Sequence, residues 1–235
     1  MGKSFQFKQF TVADDNSTMK IGTDAVLLGS WSNIENAEHI LDIGSGSGII
    51  ALMLAQRSNA FVDAVEIDKN SAQQACQNFK LSPWKSKMKV YHTSFQDFSG
   101  SNTSFYDLII SNPPFFEKAL KSEVVSRNLA RHTDTLSYED LMKGISKRLS
   151  PKGKACIILP VTESISLIPI AESLGLHCNY QTEVISKKGM EASRKLMEFS
   201  KIKTELKVDS ICILNDDLNY TEEFKSLTKK FYLKF

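Results

Sequence analysis

Hydrophobic positions recur along this chain in two alternating spacings. Short apolar runs of strand length stand at Ile40–Ile43, Phe61–Glu66, Met88–His92, Phe105–Ile110 and Gly153–Leu159. Between them lie stretches with apolar residues three and four apart, the spacing of one helical face. Ile49–Ala55 is one, and Lys69–Leu81 carries Ala72, Ala75, Cys76 and Phe79 on a single stripe. A third follows the capping-box pattern at Ser137, with Tyr138, Leu141, Met142, Ile145 and Leu149 facing inward. Strand and helix in alternation predict an α/β, Rossmann-like fold, with a mostly parallel sheet and helices on both faces.

The two ends of the chain depart from that alternation. Phe5–Val12 and Ser17–Ile21 flank the Asp/Asn-rich stretch Ala13–Asn16, which predicts a hairpin with its turn there. Thr23 is then placed to cap a helix running to about Trp31. Near the other end, a helix over 162–174 is closed by Gly175, with a kink or break expected at Pro169. Strands at 177–186, 195–201 and 206–214 follow in succession and are expected to pair antiparallel at the sheet edge, before a final helix over 221–230. Residues 117–135 show no periodicity, and a connection of that length predicts a mobile flap over a substrate. The whole is expected to form one domain over 1–235, a hairpin-and-helix extension (1–33) on a core (34–235).

Composition narrows the class only a little. A chain of 235 residues with 42% hydrophobic content can bury one substantial core. Its 29 basic and 27 acidic side chains leave a net charge of +2, which does not by itself announce a nucleic-acid partner. The basic residues are clustered, however, at 118–132, 187–203 and 225–234. Cys76, Cys156, Cys178 and Cys212 are too scattered for a metal site or a disulfide framework. Met1–Phe10 has no apolar leader pattern and no apolar run approaches the ~20 residues of a membrane span, so a cytoplasmic protein is expected.

Candidate chemistry gathers where strands end. Asp42 lies in the first strand of the core, Ile40–Ile43, ahead of Gly44-Ser45-Gly46-Ser47-Gly48 and a helix, an order that builds a cofactor-binding turn. The G-x-G-x-G spacing differs from the G-x-G-x-x-G of dinucleotide folds and suits a nucleoside without phosphates. Glu66, with Ile67 behind it, ends the next strand and is placed to take ribose hydroxyls. After the third strand, Asp97 and Phe98 are candidates to accept from an adenine amino group and to cover its ring. The fourth strand stops at Ser111-Asn112-Pro113-Pro114-Phe115-Phe116. The prolines lack N–H groups and force extended backbone, so the segment leaves the sheet. The Asn112 side-chain oxygen and the Pro113 carbonyl can together accept both hydrogens of an exocyclic amino group while Phe115 stacks on the attached base. The junction Lys20-Ile21-Gly22-Thr23-Asp24 brings a lysine, helix-start amides and a carboxylate to one place.

Together, Asp42–Gly48, Glu66 and Asn112–Phe115 resemble the class I S-adenosylmethionine-dependent methyltransferases that act on planar amino nitrogens. Phe7–Phe10, Met19–Asp24, Glu198-Phe199-Ser200 and Tyr220–Phe235 are similar to the bacterial family that modifies N6 of adenine 37, beside the anticodon, in a valine tRNA. That resemblance implies S-adenosylmethionine as cofactor, held by Lys20, Thr23, Asp24, Asp42, Gly44, Ser45, Gly46, Gly48, Glu66, Ile67, Asp97, Phe98 and Asn112. Asn112, Pro113, Pro114 and Phe115 would grip the target base. Phe116, Arg127, Arg131, His132, Lys187, Lys188 and Arg194 would meet the tRNA anticodon stem-loop. A monomer without metal or membrane contact is expected. Ribosomal-RNA adenine-N6 or guanine-N2 methyltransferases share these motifs. Release-factor glutamine N5-methyltransferases share the clamp but usually end it in Tyr, behind a helical domain. A dinucleotide-dependent oxidoreductase is disfavoured by the glycine spacing.

Overall fold

The computed structural model describes residues 4–113 and 136–235. Pro114, Phe115, Phe116, Arg127, Arg131, His132 and the expected flap lie outside the described residues.

The parallel part of the sheet is built as its apolar runs require. Strands β3 (His39–Ile43), β4 (Phe61–Glu66), β5 (Met88–His92), β6 (Tyr106–Ser111) and β7 (Leu149–Pro160) run parallel in the order β7-β6-β3-β4-β5. Helices α2 (Ile49–Arg57), α3 (Lys69–Leu81), α4 (Phe95–Ser101) and α5 (Tyr138–Arg148) lie between them in sequence. Alternation along each strand divides the core in two. Ile40, Leu108, Ile110, Cys156 and Ile158 pack on one face, with α2 and α1 (Thr23–Trp31). Leu41, Ile43, Ile109, Ala155 and Ile157 pack on the other, under α5 and α6 (Val161–Ser173). Pro169 sits inside α6 and does not break it; the proline is exposed, so the carbonyl it frees one turn earlier can meet water.

The last three strands correct the expected pairing. β9 (Ala192–Ser200) is antiparallel to both β7 and β8 (His177–Lys187), whereas the edge strand β10 (Lys207–Leu214) runs parallel to β8. The order β10-β8-β9-β7 requires the connection over 201–206 to pass β8 before β10 begins. Helix α7 (Glu222–Thr228), capped by Thr221, then returns against α1.

The N-terminal hairpin forms, but its turn lies elsewhere. β1 (Ser4–Gln6) pairs with β2 (Thr11–Ala13) around Phe7–Phe10, closed by a hydrogen bond from Phe7 N to Phe10 O at 2.8 Å. Both phenylalanines are buried, stacked at 4.8 Å, and packed on Tyr232 and Trp84. Burying two rings outweighs the turn preference of the Asp/Asn stretch. Asp14 instead ties the following loop, its Oδ2 accepting from Ile21 N at 3.0 Å. Thr23 is not a cap: Gly22 holds that position with no side-chain bond, and Thr23 is the first helical residue.

Candidate active site

The carboxyl ends of β3, β4 and β6 lie side by side, because Ile43 is in register with both Val65 and Ser111. The crevice between β3 and β6 is where the chain order reverses, the usual ligand position of an open α/β sheet. A cavity of about 550 Å³ opens there. Lys20, Thr23, Asp24, Gly44, Ser45, Gly46, Glu66, Ile67 and Asn112 all line it.

The glycine loop is shaped by backbone that side chains resist. Gly46 has φ +55° and donates its N–H to Glu66 Oε2 at 2.8 Å. Glu66 Oε1 accepts from Asp68 N, also at 2.8 Å, so this buried carboxylate knits the loop to the end of β4. Gly48, at φ +81°, begins α2, and a Cβ there would stand 2.5 Å from Phe79 Cε1. Gly48→Ala is therefore expected to lower unfolding free energy by about 3 kcal/mol, combining a left-handed penalty with a clash against a buried ring. Urea denaturation checks this; a loss within error would mean that Phe79 moves aside freely.

Asp42 lies beneath the cavity lining. Its Oδ2 accepts from Ala51 N in the first turn of α2 at 3.1 Å, and its Oδ1 is buried with no partner. Burial, opposed by the Ala51 bond and reinforced by the Glu66 charge, pushes its carboxyl up to about 7. Ser45 Oγ and Asn112 Oδ1 are also buried and unpartnered. Asn112 is held at the strand end by its neighbour, since Ser111 Oγ donates to Ile43 O at 2.9 Å. Pro113, beside it, is buried.

Other expected residues stand away from the cavity. Ser94 caps α4, accepting from Asp97 N at 3.0 Å and donating to Asp97 Oδ2 at 2.7 Å. Residues 95–101 are thus helix and not loop, which turns Asp97 outward and sends Phe98 into the core against Tyr91. Phe95 and Gln96 reach the cavity in their place. The Phe95 ring is backed by α5 at Gly144, where a Cβ would overlap it. Lys187 ends β8, and Lys188 pairs with Asp216 at 2.9 Å. Arg194 is in β9, its Nε 3.0 Å from Asp24 Oδ2, and so anchors a cavity residue from outside.

Two residues of α3 that the sequence reading passed over prove structural to the site. Asn78 is buried, donating to Ala13 O and Ser47 O, each at 2.8 Å, and accepting from Ala13 N at 3.1 Å. Ser71 Oγ accepts from Thr18 N at 3.2 Å. Between them they clasp the N-terminal extension to the glycine loop. Polar residues at 71, 74 and 78, recurring at helical spacing beside an apolar stripe, are the signal that marks them.

The Methyltransferase small domain model matches residues 17–158. Proteins described as tRNA1(Val) (adenine(37)-N6)-methyltransferase are similar over almost their full length. That of Bacteroides fragilis is 47% identical, covering 98% of each chain. The Trichodesmium erythraeum protein is 46% identical, over 100% of this chain and 99% of its own. The chain belongs to this methyltransferase family. A predicted O-methyltransferase from Agrobacterium tumefaciens superposes with TM-score 0.69 at 19% identity, over 88% of this chain and 96% of that one, and shares the fold.

The methyl donor of the family is S-adenosylmethionine, and the residues of this methyltransferase fit it. The donor carries ribose hydroxyls, an ammonium, a sulfonium and a flat base. The cavity is lined by the Glu66 carboxylate, by Ser45, whose buried hydroxyl has no partner, and by apolar walls from Ile43, Ile50, Val65 and Phe95. Its volume lies in the range of small-molecule sites. Among the described residues, no helix is long and apolar enough to cross a membrane, and no His/Cys/Asp/Glu group has metal-binding geometry.

Proposed function

We propose that this methyltransferase transfers a methyl group from S-adenosylmethionine to N6 of adenine 37 in the anticodon loop of tRNA1(Val). The observation that carries the reading is the unpartnered Asn112 Oδ1, at a strand end beside the glycine loop and in the wall of the cavity. Relatives of that description, similar along nearly the whole chain, supply the substrate.

The amino nitrogen of adenine is a weak nucleophile because its lone pair is shared with the ring. Asn112 Oδ1 and the Pro113 carbonyl accept its two hydrogens and draw the nitrogen toward a pyramidal shape, with the lone pair turned to the cavity. Bound S-adenosylmethionine supplies an electrophilic methyl on a sulfonium and leaves as S-adenosylhomocysteine, while N6 releases one of its two protons to solvent. Glu66 and Ser45 hold the donor so that this methyl faces the nitrogen. The buried walls exclude water that would compete for the same hydrogens. Phe115 stacks on the base, and Phe116, Arg127, Arg131, His132 and the 187–194 hairpin meet the stem-loop. An anticodon-loop purine is already partly unstacked, so turning it into the cavity costs less than extracting a paired base.

The test is incubation with total tRNA and radiolabelled donor, followed by mapping of the modified nucleotide. N6-methyladenine at position 37 of the valine tRNA is expected. Label appearing instead in ribosomal RNA, or in a release factor supplied in parallel, would replace the proposed substrate.

A further inference from the structure

A second cavity, of about 540 Å³, opens at the other end of α1. Gly22–Ala25, at the start of that helix, line the donor cavity, whereas Ser30 and Trp31, at its end, line this one. The remaining walls come from α2, β8, β10, α7 and the residues just after it, Lys230 and Phe231.

Among the described residues, a cation in its wall lacks a counter-ion and a hydroxyl lacks a hydrogen-bond partner. Arg57, the last residue of α2, is partly buried, and its Nη1 donates to Gly29 O at 2.6 Å. Among the described residues no carboxylate lies within ion-pair distance of that guanidinium. A guanidinium has five N–H donors, so most of this one's capacity is unspent. Burial, opposed by the nearby Cys156, pulls its pKa below the usual arginine range. Ser30 Oγ, on a residue only 6% exposed, has no partner at all.

The aromatic wall is finished by contrast. Trp31 and Tyr180 stack at 5.2 Å with their planes 20° apart. Trp31 Nε1 donates to Thr182 Oγ1 at 2.8 Å and the Tyr180 hydroxyl to Asp209 Oδ2 at 2.5 Å. Their polar edges are satisfied, which leaves apolar ring surface toward the cavity. Asp209, the exposed Glu223 and the exposed Lys230 also line it, so the rim carries both signs and is not the continuous basic surface that a polyanion such as a nucleic-acid strand needs.

We infer that this cavity is a binding site for a small organic carboxylate with an apolar body, its carboxylate on Arg57 and Ser30 and its body against Trp31. Arg and carboxylate match as a planar, bidentate pair. One negative charge neutralises the partly buried guanidinium, and Asp209 and Glu223 disfavour a ligand that carries several.

The test is a titration of the full chain, with S-adenosylhomocysteine saturating the donor cavity, using phenylacetate, adenosine 5′-monophosphate and inorganic phosphate as probes. The indole N–H signals of Trp31 and Trp84, the two tryptophans of the chain, report position by NMR. Phenylacetate is expected to bind saturably and to shift the Trp31 signal but not that of Trp84. Arg57→Met is expected to weaken it about tenfold or more, the scale of a lost charge-assisted pair. Because Arg57 also holds Gly29 O, Ser30→Ala serves as a second variant, with thermal unfolding of both recorded; it is expected to weaken binding by about threefold without a change in Tm. Absence of a Trp31 shift with every probe would overturn the proposal. So would affinity unchanged in both variants, or a response to adenosine monophosphate or phosphate with none to phenylacetate.

Discussion

Asn112→Ala is expected to slow methyl transfer by about 10²–10³-fold, the cost of removing one preorganised hydrogen-bond partner from a developing charge. Affinity for S-adenosylhomocysteine is expected to stay within about threefold of wild type, since Glu66 and the glycine loop remain. The residue ends a strand whose neighbour Ser111 is bonded to Ile43 O, so the backbone at the site is held independently of the amide. Asn112→Asp separates the acceptor role from a packing role. It keeps an oxygen in place and is expected to retain more turnover than the alanine variant. Single-turnover rates with donor in excess make the measurement; equal rates for wild type and Asn112→Ala would remove the clamp from the mechanism.

The second large effect concerns stability and pH. In the unfolded chain Asp42 ionises near 3.8, whereas burial holds it protonated in the fold up to about 7. Between those values the unfolded state has given up a proton that the folded state retains. Stability therefore falls as pH rises through this window and levels off above it, with a total of about 4 kcal/mol. Asn cannot ionise, yet it keeps an oxygen for the Ala51 N–H that Asp42 Oδ2 accepts at 3.1 Å. Asp42→Asn is thus expected to match wild type at pH 4 and to exceed it by up to ~4 kcal/mol at pH 8. Urea unfolding at pH 4, 6 and 8 would show it. Parallel curves for the two proteins across that range would mean that Asp42 ionises in the fold near its ordinary value.

The parallel strands and their helices are legible in the sequence because each apolar run is bounded by polar or glycine-rich turns, and period alone separates strand from helix. The same patterning reads identically in either direction along a strand. The orientation of β10 was therefore beyond it: a tertiary crossover past β8 decides that. At the site, the glycine loop, Glu66 and Asn112 are legible since backbone freedom and strand position dictate them. Asp97 and Phe98 fall outside the cavity lining for a local reason. Ser94-Phe95-Gln96-Asp97 has the same Ser-x-x-Asp form as Ser137–Asp140, which does predict α5, and both cap helices. Applied evenly, that signal turns 97 and 98 away from the cavity and 95 and 96 toward it. The turn of the first hairpin escapes for the opposite reason, because partners distant in sequence, Tyr232 and Trp84, bury Phe7 and Phe10.

The vacant β-carbon position of Gly144 makes the depth of the donor recess adjustable from outside. The Phe95 ring rests where a methyl at Gly144 would stand, so a larger residue there would act as a spacer and press the ring inward. A redesign of the cavity's shape could start on α5, leaving the identity of every cavity-lining side chain as it is.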